Sequence, residues 1–220
     1  MLQPPNFDQE DKLKSQGYEL IAGVDEAGRG ALAGPVVAGA VILPGSAYLP
    51  WFKLVRDSKE LSPRKREFLF NLISKEALAV GTGIIAPEVI DSINILKATK
   101  LAMMEAVKKL PQQPQFLLID RLTLPQCPIP QRGITRGDKL CLSIACASIV
   151  AKVTRDRIME ELDKAYPAYG LAKHKGYGTR EHIARLRQLE PSPIHRLSFA
   201  PIRNVSYKPN FLSLDGRGLR

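Results

Sequence analysis

Two adjacent acids, Asp25 and Glu26, sit inside what otherwise reads as a buried hairpin. They follow the apolar run Leu20-Ile21-Ala22 and precede a second one, Pro35-Val36-Val37-Ala38-Gly39-Ala40-Val41-Ile42-Leu43. A carboxylate in such a strand loses hydration, and unless it is paired or bound to a cation it is pushed toward its neutral form. Two of them together ask for a shared cation. Neighbouring strand residues point to opposite faces, so both acids can reach one site only if the strand ends or bulges there. Gly28 and Gly30 are expected to supply that irregularity. A surface turn accounts less well for acids flanked by apolar runs on both sides. The glycine spacing Gly23-x-x-x-x-Gly28 also matches a phosphate-binding loop. The next two positions are Arg29-Gly30 where such a loop needs Lys and then Ser or Thr, and the acids inside it would repel a triphosphate.

The chain has 220 residues, enough for one sizeable core. The expected organisation is an N-terminal extension over 1–17, a catalytic domain over 18–205 that includes a helical C-terminal segment, and a loosely ordered tail over 206–220. The first fourteen residues are too polar for a signal peptide and no apolar run approaches membrane-spanning length, so a cytoplasmic protein without membrane contact is expected. Cys127, Cys141 and Cys146 are too few and too irregularly spaced for a disulfide framework or a zinc site. They are expected to be reduced thiols, two of them in a helix.

Charge is uneven along the chain. Residues 1–120 hold 14 basic and 14 acidic side chains, and residues 121–220 hold 18 and 8, so the whole excess of +10 lies in the last hundred residues. Such a basic half suits a phosphate-backbone partner; it is equally compatible with a merely solvated basic face.

Strands are expected over Tyr18–Asp25, Val36–Leu43 and Ala79–Ala86. Ser62 as cap and Pro63 at the first helical position start a helix through about Leu78. Pro87 starts a short helix, and Asn94 to Leu110 runs at helical period, with Ile95, Ala98, Ala102 and Val107 facing inward. Phe116-Leu117-Leu118-Ile119-Asp120 is continuously apolar until its last residue, as in a strand buried on both faces and parallel to a neighbour. Gly133-Ile134-Thr135 is a candidate last strand before Arg136-Gly137-Asp138. A long helix follows from Cys141 to Tyr166 with its first half buried, in which Lys152 and Asp156 are spaced to pair; another spans Thr179 to about Leu189. His174, His182 and His195 form no metal-ligating pattern and read as ordinary loop and helix polar groups.

Asp25, Glu26, Asp120 and Asp138 thus lie at or beside strand ends, where one sheet can gather them. Four clustered carboxylates repel without cations. Hard oxygen ligands suit magnesium or manganese, and a pair of such ions about 3.5–4 Å apart serves phosphodiester cleavage.

In order along the chain, Gly23-Val24-Asp25-Glu26-Ala27-Gly28-Arg29-Gly30, Gly34-Pro35-Val36-Val37-Ala38, Asp57-Ser58-Lys59, Asn94-Ile95-Leu96, Asp120, Gly137-Asp138, Ala147 to Val153 with Arg155-Asp156, His174 to Thr179, and His195-Arg196-x-Ser198-Phe199 resemble the type 2 ribonucleases H, the ribonuclease HII family. The resemblance covers roughly residues 18–203. It implies an α/β fold of the ribonuclease H-like kind, a mixed five-stranded sheet flanked by helices with a helical C-terminal part. It implies Mg2+ or Mn2+ as cofactor, with Asp25, Glu26, Asp120 and Asp138 as catalytic and metal-binding acids. Gly28, Arg29 and Gly30 would sense substrate, Tyr177 would stack on a sugar, and Lys59 and Lys175 would contact the backbone. The implied partners are RNA–DNA hybrids and ribonucleotide-containing duplex DNA, handled by a monomer; no replication-clamp contact is assigned. The family usually has Gly after the third acid, where this chain has Arg121. Another metal nuclease of the same fold, such as a junction resolvase, and a non-catalytic nucleic-acid-binding protein remain the alternatives.

Overall fold

The computed structural model describes residues 4–45 and 49–205. The expected tail over 206–220 lies outside them. Five strands, β1 (Ile21–Ala27), β2 (Val36–Ile42), β3 (Ala79–Ile85), β4 (Phe116–Asp120) and β5 (Gln131–Ile134), form one mixed sheet in the order β3-β2-β1-β4-β5. The first three pair antiparallel, while β1, β4 and β5 run parallel. Helices cover both faces, as a sheet with parallel central strands requires: this is the expected α/β mixed sheet.

The helices follow local signals. The Ser62 hydroxyl accepts the Lys65 amide and Pro63 opens α2 (Pro63–Glu76), where proline's missing N–H goes unneeded. Pro87 opens α3 (Pro87–Ile93) in the same way. Asn94 caps α4 (Ile95–Lys108) through its side-chain oxygen, which accepts the Leu96 and Lys97 amides. Ala98, Ala102, Met103 and Ala106 of α4 are buried against Ala22, Val24, Ala38, Ala40 and Ile42 on one face of the sheet. On the other face lies α6 (Leu142–Ala165), buried along its first ten residues and packed with α2 on Val41 and Leu43. Cys141 stands at the cap of α6 rather than within it, so of the three free cysteines only Cys146 is helical.

Helix α6 can approach β1 only because Gly23 has no side chain. A Cβ there would fall on the Ser143 carbonyl carbon and the Ile144 nitrogen, both of them backbone. Neither can rotate aside. Gly23→Ala is therefore expected to destabilise the protein by about 1–3 kcal/mol, the range for overpacking a tight core. Urea unfolding checks this, and an unchanged midpoint would refute the close-approach argument.

The N-terminal segment is docked on this body. In α1 (Asp8–Lys14), Leu13 is buried with Ile21, Phe116 and Leu118. The Glu10 carboxylate accepts both the amide and the hydroxyl of Ser143 at 2.9 and 2.6 Å, capping α6 from another helix. Burial raises the Glu10 pKa, and the Ser143 bonds work against that rise. The short turn α5 (Gly137–Leu140) precedes α6, and the C-terminal part after α6 consists of the short turn α7 (Leu171–His174), then α8 (Arg180–Leu189) and α9 (Ile202–Val205). Leu32, Ala33, Met159, Tyr169, Leu171, Leu186 and Ile202 join them in a small core of their own. Among the described residues no helix is long and apolar enough to cross a membrane.

Candidate active site

Strand β1 begins at Ile21, three residues later than its sequence suggests, and continues through both acids to Ala27. Its ladder to β2 is unbroken, with Asp25 opposite Gly39 and Glu26 opposite Ala38. The expected bulge or strand end at the acids is absent; the irregularity comes two residues after Glu26, at Gly28, where φ reaches 94°. What opens the site is the other edge. Strand β4 pairs with β1 only as far as Val24↔Ile119, so Asp25 and Glu26 run on past the last rung, beside Asp120 at the end of β4. Asp25 is buried and Glu26 half-buried there, and both lie close enough to Asp120 for the charges to act on one another, which is how adjacent acids on an alternating strand come to share a site.

Asp138 reaches the same place from α5. Gly137 donates its amide to Asp120 Oδ1 at 2.8 Å, which fixes the turn that carries Asp138. Asp25 and Asp138 are buried, while Glu26 and Asp120 are half-buried. Burial, then the neighbouring Glu26 and Asp120 carboxylates, push the Asp25 pKa well above the usual carboxylate range, against a hydrogen bond with Ser148 on α6. Burial likewise raises Asp120 to about 6; the Gly137 amide opposes this, and Asp138 and Glu26 add to it. Burial is the first cause of both shifts, and the mutual repulsion of the carboxylates adds to it.

Two cations partly offset that charge. Lys59 Nζ lies 3.6 Å from Asp138 Oδ2 and 3.9 Å from Asp57 Oδ1. Burial disfavours its charge, but Asp57, Asp138 and Asp25 outweigh burial and raise its pKa. Arg29 turns back to Glu26 Oε1 at 3.1 Å. Among the described residues no three His, Cys, Asp or Glu side chains converge closely enough to hold one ion as they stand. Glu26 Oε2, however, is buried with no hydrogen-bond partner, and an all-carboxylate donor set is the chemistry a hard divalent cation takes. The chemistry of the donor set fits such an ion.

The glycine loop and Tyr177 meet beside these acids, although 147 positions separate Gly30 from Tyr177. Ala31 bridges Tyr177, and the Gly176 carbonyl accepts the Leu32 amide at 2.8 Å. Gly28 cannot carry a side chain, because its φ of 94° is left-handed and a Cβ would fall on the Arg155 guanidinium. A Cβ on Gly30 would meet open space. Tyr177 is half-buried, its ring 5.2 Å from the Arg155 guanidinium and 5.9 Å from Lys152 Nζ. Lys175 contributes its backbone, whose carbonyl accepts from Arg155 at 2.9 Å, while its side chain pairs with Glu160 at 2.7 Å. Lys152 and Asp156 pair at 2.6 Å as their spacing suggests.

Several residues of this neighbourhood were passed over as sequence. The Ser58 and Ser148 hydroxyls bond at 2.9 Å, tying the Asp57-Ser58-Lys59 loop to α6 beneath Asp25. Arg155 and Arg196 are fully buried, so two cations of the basic half serve the interior rather than a docking surface. His174, His182 and His195 are not ordinary loop and helix groups either: all three are buried and touch one another. Arg121 adopts φ 58°, the left-handed conformation that disfavours any residue with a Cβ. Arg121→Gly is expected to raise stability by roughly 0.5–1 kcal/mol after allowing for the looser unfolded chain; a lower urea midpoint would show that the Arg121 side chain holds the turn.

A family model described as ribonuclease HII matches residues 22–202. Ribonuclease HII of Dehalococcoides mccartyi strain BAV1 is 57% identical over 201 residues, which span 91% of this chain and 95% of that protein. The solved ribonuclease H2 from Pyrococcus horikoshii OT3 superposes with a TM-score of 0.70 at 26% identity, covering 84% of this chain and 96% of that one. A Bst ribonuclease HIII solved in complex with Mn2+ has a TM-score of 0.59 at 17% identity over 85% of this chain and 69% of its own, a likeness of fold alone.

Proposed function

The chain belongs to the ribonuclease HII family, and from that premise we propose that it incises 5′ of single ribonucleotides embedded in duplex DNA, leaving 3′-hydroxyl and 5′-phosphate ends. As a ribonuclease H it is a hydrolase of the RNA strand in RNA–DNA hybrids. The finer reading rests on one observation: the Gly28–Gly30 loop, directly continuous with Asp25-Glu26, is tied at Ala31 to Tyr177.

The loop's Gly28 and Arg29 carbonyls are satisfied internally, by the Ala31 amide at 3.3 Å and by Arg196 at 2.9 Å. In this reading the loop's amide N–H groups meet a 2′-hydroxyl, the group only a ribonucleotide presents. Tyr177 offers a ring face to the next sugar, where a hydroxyl would obstruct contact, so the 3′ neighbour is DNA. Asp25, Glu26, Asp120 and Asp138 hold Mg2+ or Mn2+, of which Mn2+ is the ion in the ribonuclease HIII relative. Such an ion neutralises charge developing on the phosphate and lowers the pKa of water. Lys59, beside Asp138, places a positive charge at the edge of the acid cluster, and the basic side chains of the last hundred residues attract the duplex backbone.

The test is a substrate panel of duplex DNA, a branched DNA junction, a continuous RNA–DNA hybrid and a DNA duplex with one ribonucleotide, each with Mg2+, Mn2+ and chelator, with end-labelled products. Incision 5′ of the lone ribonucleotide, lost on chelation, is the expected result. Cleavage of all-DNA duplex or of branched DNA in preference would favour a resolvase-like nuclease instead.

A further inference from the structure

Three of the chain's polar rings are buried together behind Tyr177, and their partners dictate where every proton sits. His182 Nδ1 lies 3.0 Å from the Tyr177 carbonyl, which only accepts, so His182 carries its hydrogen on Nδ1 and presents a bare Nε2. That nitrogen faces His195 Nε2 at 3.1 Å. His195 must therefore donate from Nε2, and its Nδ1, which also lies 3.2 Å from the Ser192 carbonyl, accepts the Ser192 amide at 3.0 Å and the Ser192 hydroxyl at 2.9 Å. His174 stacks on His182 with centroids 4.3 Å apart. Its Nδ1 accepts the Gly176 amide and its Nε2 donates to the Tyr169 carbonyl at 2.9 Å. One arrangement of three neutral rings satisfies all of these bonds except the 3.2 Å approach of His195 Nδ1 to the Ser192 carbonyl, which already accepts the His195 amide at 2.9 Å.

We propose that His174, His182 and His195 form a neutral, tautomer-locked chain whose role is to position the Tyr177 turn against substrate. This rests on the junction-sensing reading of Tyr177. The turn has strained supports that need such a lock: Lys175 has φ 51° and Gly176 φ 78°, a conformation a lysine holds only when its surroundings over-determine it. The chain fixes that turn at the Gly176 amide and the Tyr177 carbonyl and ties it to the Tyr169 carbonyl outside it. A second proton on His182 would set N–H against N–H at His195. On His174 it would face the Gly176 amide.

Nothing nearby welcomes a positive charge. Burial, then His182, lowers the His195 pKa to about 4, and burial with His174 lowers that of His182. Among the described residues no carboxylate pairs with any of the three. On α8, Glu181 is engaged by Lys173 of α7 and by Arg185. From the loop after α8, Glu190 offers its backbone carbonyl to the Tyr169 hydroxyl. Arg155 of α6 and Arg196 spend their guanidinium groups on the carbonyls of Ala33, Pro35 and Lys175, and of Arg29 and Gly34. Tyr169 packs its ring 4.8 Å from that of His195.

Nitrogen-15 NMR of labelled protein tests the lock directly. The expected spectrum at neutral pH shows His182 protonated on Nδ1 and His174 and His195 on Nε2, with His182 and His195 still neutral at pH 6. An imidazolium among them, or His182 protonated on Nε2, overturns the proposal. The functional arm compares His195→Leu, which removes the donor, with His195→Gln, whose carboxamide keeps one. His195→Leu is expected to lose about tenfold or more, one contact's worth of barrier, on the single-ribonucleotide duplex relative to the continuous hybrid. It should add nothing further in a Tyr177→Ala background, and His195→Gln should restore the preference. Equal, additive losses on both substrates would make the chain a mere fold element and sink the proposal. If Tyr177→Ala itself leaves the preference intact, the junction-sensing reading fails first and the positioning role falls with it.

Discussion

Asp25→Asn is expected to abolish turnover and at the same time to raise the melting temperature of the metal-free protein. The two effects share one cause. Asp25 is buried under α6 with Glu26 and Asp120 as neighbours, so its charge is costly until a cation arrives. Asn keeps the shape and removes the charge. Losing a charged ligand should slow cleavage by about a thousandfold or more, roughly 4 kcal/mol of transition-state stabilisation. Relief of repulsion works the other way on the resting fold, and each 1 kcal/mol gained is worth roughly 2–4 °C at this size. Single-turnover cleavage with Mg2+ or Mn2+ and melts in chelator read the two quantities separately. Near wild-type cleavage, or a lowered metal-free melt, would refute the role.

The same logic sets the pH dependence of the wild-type metal-free protein. Folded Asp120 holds its proton up to about pH 6 whereas the unfolded chain releases it near 3.8, so stability falls as pH rises through that window. His195 acts oppositely. It stays neutral down to about pH 4 when folded, against 6.5 unfolded, so its contribution is full above pH 6.5 and is lost as pH falls toward 4.

Tyr177→Ala is expected to cost roughly 10–100-fold on a duplex with one ribonucleotide, the worth of about 1–3 kcal/mol per stacked aromatic contact, and clearly less on a continuous hybrid. A long hybrid offers many registers and further backbone contacts; a lone ribonucleotide offers one junction. The ring stands near Arg155 and Lys152, so its removal also costs packing, and a thermal melt must accompany the kinetics. Selective loss with a nearly unchanged melt supports junction sensing. A large drop in melting temperature with equal loss on both substrates would leave Tyr177 a structural anchor.

Much of this molecule was legible in its sequence, for a physical reason. The strands, the cap at Ser62, the prolines that open α2 and α3, and the buried first half of α6 are written in local periodicity and in residues whose backbone chemistry acts within a few positions. Asp25, Glu26 and Asp120 stand out because a charge at the end of an apolar strand needs an explanation wherever the strand lies. Tertiary structure alone decided the rest. That β1 runs straight through its acids follows from where β4 stops pairing, which no pattern within β1 records. Arg196 holds the Arg29 carbonyl across 167 residues. The three histidines meet from three loops and helix ends with no common spacing, each looking like an ordinary surface group. Periodicity reports which face of an element is buried; it cannot report which distant polar groups will find one another there, because that depends on how the elements pack.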